Sequence, residues 1–295
     1  MFPRVAVLAL LLSGLAGAAG GAPEPPGFTD ADALIRRVVK SQRRSERALA
    51  SFTYDQLEVE TTYARRGAPK ETEAHLFYVF SGDGPSELSR ELVAVDGRPA
   101  TDEEKRKAAE EDAKARRKRV ERRAAEKAET SLAMSGDEDD PLVGARRLSD
   151  LLARYEYWID REEVLDGRPC YVLRFSPRRG LKLKGIAEHA LSSLAGEVVI
   201  DAVDYQVRRV DAVLVAPVKV AGGIAARVDS ADVRYQAAPA GATHTWFPCL
   251  VDLRLHGKKA LFLPLDLGFR YEFSNFRTFR VETESAASEE PPAPE

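Results

Sequence analysis

The alternation of apolar and polar side chains predicts that most of this chain forms β-strands. Leu57 and Val59 alternate with Glu58 and Glu60, a period of two that is typical of a half-buried strand. Asp-Gly pairs, the strongest short hairpin signal, stand between such runs at 96–97 and 166–167. The same alternation recurs in residues 155–160, 171–175, 249–256 and 269–274.

Apolar residues at helical spacing predict two amphipathic helices, over residues 29–50 and 184–194. Thr29 and Asp32 have the spacing of a capping box at the start of the first helix. Each helix would bury one face and leave the other in water. The positions expected to face the protein are Ile35, Val38, Val39, Ile186 and Leu191.

Residues 101–130 interrupt the strands with a charged run that predicts a solvated helix. Twenty of these thirty residues are charged, nine acidic and eleven basic, and Thr101 and Glu104 again have capping-box spacing. The balanced charge and the lack of aromatic residues argue against a nucleic-acid arm. We interpret residues 101–140 as an inserted helix and acidic loop that buries little and serves, if it has a role, in partner contact or spacing.

The first 22 residues have the layout of a secretory signal peptide. Arg4 precedes an apolar stretch over residues 5–16, small residues follow, and APEPPG at 22–27 breaks any helix. The stretch is shorter than the roughly 20 residues of a membrane-spanning helix. No cysteine follows it that would carry a lipid anchor. We therefore expect an exported, periplasmic protein with no stable membrane span, one domain over residues 23–284, and a disordered acidic tail over 285–295.

The sequence offers little catalytic chemistry. It has no nucleophile-elbow, HExxH, phosphate-loop or dinucleotide-binding motif, and its four histidines are scattered. We expect no enzyme activity, no metal and no cofactor. Cys170 and Cys249 would form a disulfide in an oxidising compartment if their strands were neighbours, and would otherwise be free and buried.

The order of elements predicts an α+β fold. About three strands precede the charged segment and about seven follow it, in hairpin order, which favours one strongly curved antiparallel sheet with helices on one side. If the helices do not fill the concave face, an apolar cavity remains there. The aromatic residues expected to line it are Phe52, Tyr54, Phe77, Tyr157, Trp158, Phe175, Trp246, Tyr271 and Phe273.

Four segments of the chain resemble the LolA/LolB-like superfamily of periplasmic lipoprotein carriers. The segments are ALIRRVVKSQRRSERALASFTYDQLEVE (33–60), DGRPCYVLRFSP (166–177), GEVVIDAVDYQVRRVDA (196–212) and TWFPCLVDLRLHGKKALF…FRYEFSNFRTF (245–279). The resemblance implies an unclosed β-barrel of about 10–11 strands with helices over its concave face. It also implies binding of lipid or lipoprotein acyl chains in an apolar cavity. The charged run departs from the pattern and puts the usual partners in doubt.

Two functions follow as hypotheses. In the first, helices 29–50 and 184–194 are lids over a cavity that carries an acyl chain. In the second, the same fold is a protein-interaction or sensor module, its cavity is filled by side chains, and the charged helix docks an envelope protein.

Overall fold

The computed structural model describes residues 30–49, 51–64, 67–81, 88–129, 148–178, 190–220, 226–240, 245–259 and 263–278. The helices are α1 (Ala31–Leu49), α2 (Asp102–Glu129) and α3 (Leu148–Leu152). The strands are β1 (Phe52–Tyr63), β2 (Pro69–Ser81), β3 (Leu88–Val95), β4 (Arg98–Pro99), β5 (Tyr155–Leu165), β6 (Arg168–Pro177), β7 (Leu194–Asp201), β8 (Val207–Leu214), β9 (Val218–Val220), β10 (Ala226–Pro239), β11 (Trp246–Lys259) and β12 (Leu263–Thr278).

All twelve strands belong to one antiparallel sheet, in the order β4-β3-β2-β1-β12-β11-β10-β8-β7-β6-β5, with β9 paired to β10. The ends of this order, β4 and β5, do not pair with each other in the described chain, so the sheet is unclosed. The predicted α+β class, mainly antiparallel and open, is confirmed. None of the described helices is long and apolar enough to cross a membrane.

The charged segment has a topological role that its composition did not predict. It leaves β4 at one edge of the sheet, and the chain re-enters the sheet at β5, the opposite edge. Residues 100–154 therefore connect the two edges along the chain. The sequence predicts that 101–140 is inserted between two sheet segments, and the strand order adds that these segments end at opposite edges of the sheet.

The pairing register shows that α1 and α2 cover the same face of the sheet. Directly opposed residues in an antiparallel pair share a face. Starting beneath α1, the opposed residues run Leu173, Val198, Val210, Tyr235, Val251, Tyr271, Glu58 and His75 across β6, β7, β8, β10, β11, β12, β1 and β2. Phe77, two residues from His75, shares this face and belongs to the core that α2 covers. We call this the inner face.

The larger core lies between α1 and strands β5 to β8. Leu34 and Val38 of α1 have no exposed surface and pack in a cluster with Tyr171, Leu173 and Ile200. Burying large aliphatic side chains of this kind stabilises the fold by about 2 kcal/mol each. The apolar spacing of α1 thus makes that helix part of the core.

A smaller core lies at the other end of the inner face. Tyr54, Phe77, Val79, Leu92 and Val95 form it, and Ala108 of α2 packs against it. The opposite face of β6 and β7 carries a third, minor cluster made of Cys170, Val172 and Val199. The helical cover of the sheet is therefore split between two separate cores.

Local signals in the sequence act largely as predicted. Thr101 and Glu104 form the capping box: the backbone N–H of Glu104 donates to Thr101 Oγ1 at 3.3 Å, and that of Thr101 donates to Glu104 Oε2 at 2.8 Å. At the start of α1, Thr29 lies outside the described residues, and Asp30 accepts the Asp32 N–H at 2.9 Å. The Asp-Gly turns at 96–97 and 166–167 have positive φ at both residues, the type I′ hairpin geometry.

Candidate functional site

Between the two cores, strands β10 to β12 present partly exposed apolar side chains on the inner face. The register aligns Val233 with Leu253 and Phe269, and Tyr235 with Val251 and Tyr271. Val233 and Tyr235 pack against the core under α1, while Phe273 packs against the core under α2. These residues therefore join the two cores into one apolar surface. We call Val233, Tyr235, Val251, Phe269, Tyr271 and Phe273 the inner strip.

The residues predicted to line the cavity lie in several different parts of the structure. Tyr271 and Phe273 lie in the inner strip. Tyr157 and Phe175 pack in the core under α1, and Tyr54 and Phe77 in the core under α2. The other three lie apart: Phe52 packs edge-on against Phe247 at 4.7 Å between ring centroids, Trp246 is buried in a polar cluster, and Trp158 is on the outer face.

The structure corrects the prediction that Trp158 lines the cavity. Trp158 pairs with Arg174, whereas its neighbour Tyr157 pairs with Phe175 on the inner face. The Trp158 side chain therefore points away from the helices and is 46% exposed. Alternation in β5 already separated the two residues, because successive strand residues point to opposite faces.

The outer face around Trp158 is charged. Arg174, Glu197, Asp211, Arg234 and Asp252 stand opposite one another on successive strands β6, β7, β8, β10 and β11. Neighbouring ion pairs link them, including Arg161 to Glu197 at 3.0 Å and Arg234 to Asp211 at 3.3 Å. A row of charged residues thus crosses the outer face from β6 to β11.

A charged cluster adjoins the inner strip beneath α2. The Arg90 guanidinium donates to Glu58 Oε1 at 2.7 Å and to Asp112 Oδ1 at 3.2 Å. It also lies 4.3 Å from the centre of the Phe77 ring, a cation–π distance. The Asp112 side chain is 7% exposed, so one carboxylate of the charged helix is buried. Sequence analysis missed this cluster because Asp112 is one of twenty charged residues in its run.

The Tyr54 hydroxyl is part of the same surroundings. Burial raises the pKa of Tyr54 to about 12, and the positive charge of Arg90 opposes that rise. Tyr54 therefore stays neutral at physiological pH. Its ring packs at 6.1 Å from Phe273 and 5.2 Å from Phe276, measured between centroids.

A second polar cluster fixes α1 to the sheet. Arg168 donates to both carboxylate oxygens of Asp201, at 2.5 and 2.8 Å, and to Asp204 at 2.6 Å. The indole N–H of Trp246 donates to Asp204 at 3.0 Å. Burial of Asp201 favours its neutral form, but Arg168 and the backbone N–H groups of residues 203 and 204 outweigh this and lower its pKa.

Helix α1 is attached to this cluster by its own polar side chains. Ser41 donates to the Asp204 carbonyl at 2.8 Å and accepts from Gln206 at 2.8 Å. The Arg37 guanidinium lies 4.1 Å from the centre of the Tyr205 ring. These contacts, together with the burial of Ile35 and Val38, hold α1 over the sheet at several points.

The predicted lids differ in what the structure shows of them. Ile35 and Val38 are buried, and Val39 packs partly buried against the same core. The second helix, 184–194, lies mostly outside the described residues, as does Ile186. Its last residues are described: Leu191 packs against the core under α1, and its carbonyl accepts a hydrogen bond from the Tyr155 hydroxyl.

Cys170 and Cys249 are free, and a disulfide between them is contradicted by the strand order. Cys170 lies on β6 and Cys249 on β11, with β7, β8 and β10 between them. Burial raises the pKa of both thiols, which disfavours the reactive thiolate. Within the described segments no three His, Cys, Asp or Glu residues are grouped closely enough to hold a metal ion.

A serine, a histidine and an aspartate, the residue types of many hydrolase active sites, lie opposite one another on β10, β11 and β12. Ser230 pairs with His256, and His256 pairs with Asp266. His256 Nδ1 lies 3.5 Å from Asp266 Oδ2, and its side chain is 60% exposed. Among the described residues no hydrogen bond joins Ser230 to His256.

Comparison with known proteins gives similarity to solved structures only. No protein-family model matches the chain. No curated protein matches it significantly either. A putative outer membrane lipoprotein-sorting protein domain from Vibrio parahaemolyticus is 12% identical, with a TM-score of 0.35, covering 88% of this chain and 96% of that one.

Two further structures are similar at the same level. A DUF1329 family protein from Desulfovibrio piger is 13% identical, with a TM-score of 0.37, over 85% of this chain and 94% of that one. A LolA superfamily protein from Nitrosomonas europaea is 10% identical, with a TM-score of 0.31, over 82% and 94%.

Proposed function

We propose that this protein is an exported, non-enzymatic binding protein that carries or senses the acyl chain of a lipid or lipoprotein on its inner strip. The observation that supports this is the strip itself, a continuous apolar surface between two helix-covered cores. The outer face carries a charged ladder instead, so the molecule has one face suited to a hydrocarbon chain.

Partial burial of the strip suits reversible binding. Each methylene removed from water contributes about 0.8 kcal/mol. Six to eight methylenes covering the strip would contribute about 5–6 kcal/mol before the cost of ordering the chain. Such a gain gives binding that is useful and still reversible, as a carrier or a sensor requires.

The test combines native extraction with a matched pair of variants. Protein purified without detergent is extracted with organic solvent for lipid, and binding of a fluorescent fatty acid is titrated. Val251→Glu places a charge in the inner strip, while Val213→Glu places one on the outer face, where Val213 is 50% exposed. We expect Val251→Glu to abolish binding and Val213→Glu to keep it, with thermal unfolding recorded for both. Absence of lipid and of probe binding in the wild type would end the acyl-chain proposal.

A second candidate, a docking role for α2, rests on the exposed side chains beyond its packed first turns. Glu110, Glu111, Lys114 and Arg117 are exposed, whereas Asp112 is buried. Replacing Lys114 and Arg117 by Glu changes the exposed surface and leaves the Arg90 ion pair in place. Loss of an envelope partner with unchanged probe binding would favour docking through α2, and unchanged capture of that partner would contradict it.

A further inference from the structure

The buried side of α1 changes from apolar to polar at Gln42. Leu34 and Val38 fill the first part of it, and Gln42 and Ser45 continue it towards the end of the helix. Residues four positions apart lie one above the other on a helix, so Gln42 directly follows Val38. Gln42 is only 5% exposed, and its amide therefore needs hydrogen bonds, because burying an unpaired polar group is costly.

The Gln42 amide does not have these hydrogen bonds. Its Oε1 is buried without a partner, and its Nε2 donates to no residue that the structure describes. Ser45, three positions further along the helix, differs, because its Oγ accepts the backbone N–H of Trp246 at 3.5 Å. Gln42 thus keeps one acceptor and two donors unused on the side of α1 that meets the sheet.

The residue of the inner strip that lies near Gln42 is Tyr235 on β10. Val38, one turn before Gln42, belongs to the core against which Tyr235 packs. Burial raises the pKa of Tyr235, and the nearby Cys249 and Glu46 add to the rise. Glu46 is one turn after Gln42, so the turns on both sides of Gln42 lie near this tyrosine. The Gln42 side chain therefore faces the hydroxyl end of Tyr235.

The Tyr235 hydroxyl is also available to a ligand. It makes no hydrogen bond to any residue in the described part of the chain. It stays neutral at physiological pH, because its pKa lies above the ordinary value of 10.0, and a neutral hydroxyl both donates and accepts. The residue is only partly buried, so a ligand on the inner strip can reach it. The α1 end of the strip thus offers two unpaired polar groups, one on the helix and one on the sheet.

The placement of these two groups selects the kind of head that fits between them. The N–H and C=O of a secondary amide in its usual trans form point in opposite directions. Such an amide can donate its N–H to Gln42 Oε1 and accept at its carbonyl from the Tyr235 hydroxyl. If the Gln42 amide is turned over, it donates to the carbonyl and the hydroxyl accepts the N–H. An ester has only the carbonyl, so it leaves one of the two groups unpaired.

We infer that Gln42 and Tyr235 form the head-group site of the acyl-binding surface and that this site recognises the amide of an N-acyl chain in preference to an ester. The inference rests on the proposed acyl-binding function. It places the head under α1 and the hydrocarbon chain along the inner strip towards β12. It also accounts for an unpaired amide on the buried side of a helix, a feature that costs stability when no ligand is bound.

Two ligands that differ only at the linkage test the inference: N-methyldodecanamide and methyl dodecanoate. The N–H of the first takes the place of the ester oxygen of the second. Each is titrated against the wild type and the variants by displacement of a fluorescent acyl probe. The measured quantity is the ratio of the two affinities in each protein. Comparing this ratio between proteins cancels the difference in hydration between the two ligands.

Two variants and a matched control locate the preference. Gln42→Met removes the amide and keeps the length of the side chain, so the amide-to-ester ratio should fall about 5-fold, the value of one net hydrogen bond. Tyr235→Phe removes only a hydroxyl and should lower the ratio by a similar factor. Gln236→Met is the control, because Gln236 is the next residue on β10, lies opposite Arg209 and faces the outer side. Its ratio should equal that of the wild type.

Unfolding of the ligand-free protein separates this role from a structural one. An amide that served the fold would stabilise it, whereas an unpaired buried amide destabilises it. Gln42→Met should therefore raise the midpoint of thermal unfolding by about 2–4 °C while it lowers the affinity ratio. A lower midpoint would show that the amide already serves the fold and would overturn the inference.

The other outcomes distinguish this inference from the acyl-binding proposal. If the ratio in Gln42→Met equals that of the wild type, the head-group site is wrong while acyl binding stands. If the ratio falls equally in Gln236→Met, the change is not local to the site and the inference is again wrong. If neither the probe nor the two ligands bind the wild type, acyl binding itself fails.

Discussion

Helices α1 and α2 lie on the same face of one sheet, yet they are held there by opposite means. Helix α1 buries an aliphatic stripe that includes Leu34 and Val38, neither of which is exposed. Helix α2 has no such stripe; it docks through a small alanine, Ala108, and a buried carboxylate, Asp112, that pairs with Arg90. An amphipathic helix becomes core, whereas a charged helix docks only where the sheet supplies an opposite charge.

The largest effect expected from this difference is in the apolar stripe. Leu34→Ala leaves a cavity between α1 and the sheet, so the free energy of unfolding should fall by about 3 kcal/mol. On α2, Ala108→Gly should cost about 1 kcal/mol, mostly through helix propensity. Denaturant unfolding measures both, and Leu263→Ala, at a residue 60% exposed, is the control. Equal losses at 34 and 108 would remove the distinction between the helices.

Removing the arginine from each of the two charged clusters should give a smaller difference in the free energy of unfolding. Arg168→Met leaves Asp201, which has no exposed surface, without its guanidinium, and should cost about 3 kcal/mol. Arg90→Met should cost less, about 1–2 kcal/mol, because only Asp112 of its two carboxylate partners is buried, whereas the Glu58 side chain is 24% exposed and stays partly hydrated. Thermal and denaturant unfolding check the order, and a larger loss for Arg90→Met would show that the α2 end is the more tightly coupled one.

The smallest effect is a dependence on pH that comes from Asp201 at the α1 end. Asp201 has a folded pKa below its ordinary value of 3.8, so its charged form stabilises the native state above that pH, and the contribution is lost as pH falls below 3.8. The stability difference between wild type and Asp201→Asn should therefore shrink in that acid range. Unfolding midpoints measured from neutral pH to pH 3 test this, and a constant difference would contradict it.

Short-range signals predicted the elements well and their environment less well. The Asp-Gly turns, the strand alternation and the Thr101 capping box all appear in the structure, because each depends on residues a few positions apart. Phe269 of the inner strip was not among the predicted lining residues, although alternation along β12 places it on one face with Tyr271. Tyr235 lies on β10, and only the strand register places it on that face. Alternation along β5 would also have placed Trp158 on the face opposite to Tyr157, where the structure has it.

The Arg90 cluster could not be predicted from the sequence for a different reason. Glu58, Arg90 and Asp112 are separated by 32 and 22 positions along the chain, and nothing in their local patterns joins them. Their meeting depends on the β1–β2–β3 register and on the place where α2 returns over the sheet. The Arg168 cluster likewise gathers residues from β6, the β7–β8 turn and β11.

The sequence by itself determined the class of fold, the turns, the caps and the amphipathic α1, since hydrophobic period and turn chemistry act over neighbouring residues. Only the tertiary structure decided that the charged segment connects the two edges of the sheet and that Asp112 is buried. It also decided that Cys170 and Cys249 are kept apart and that the apolar surface ends at Arg90. Strand order and register bring distant residues together, and the energy that fixes them comes from packing and charge pairing across the whole sheet.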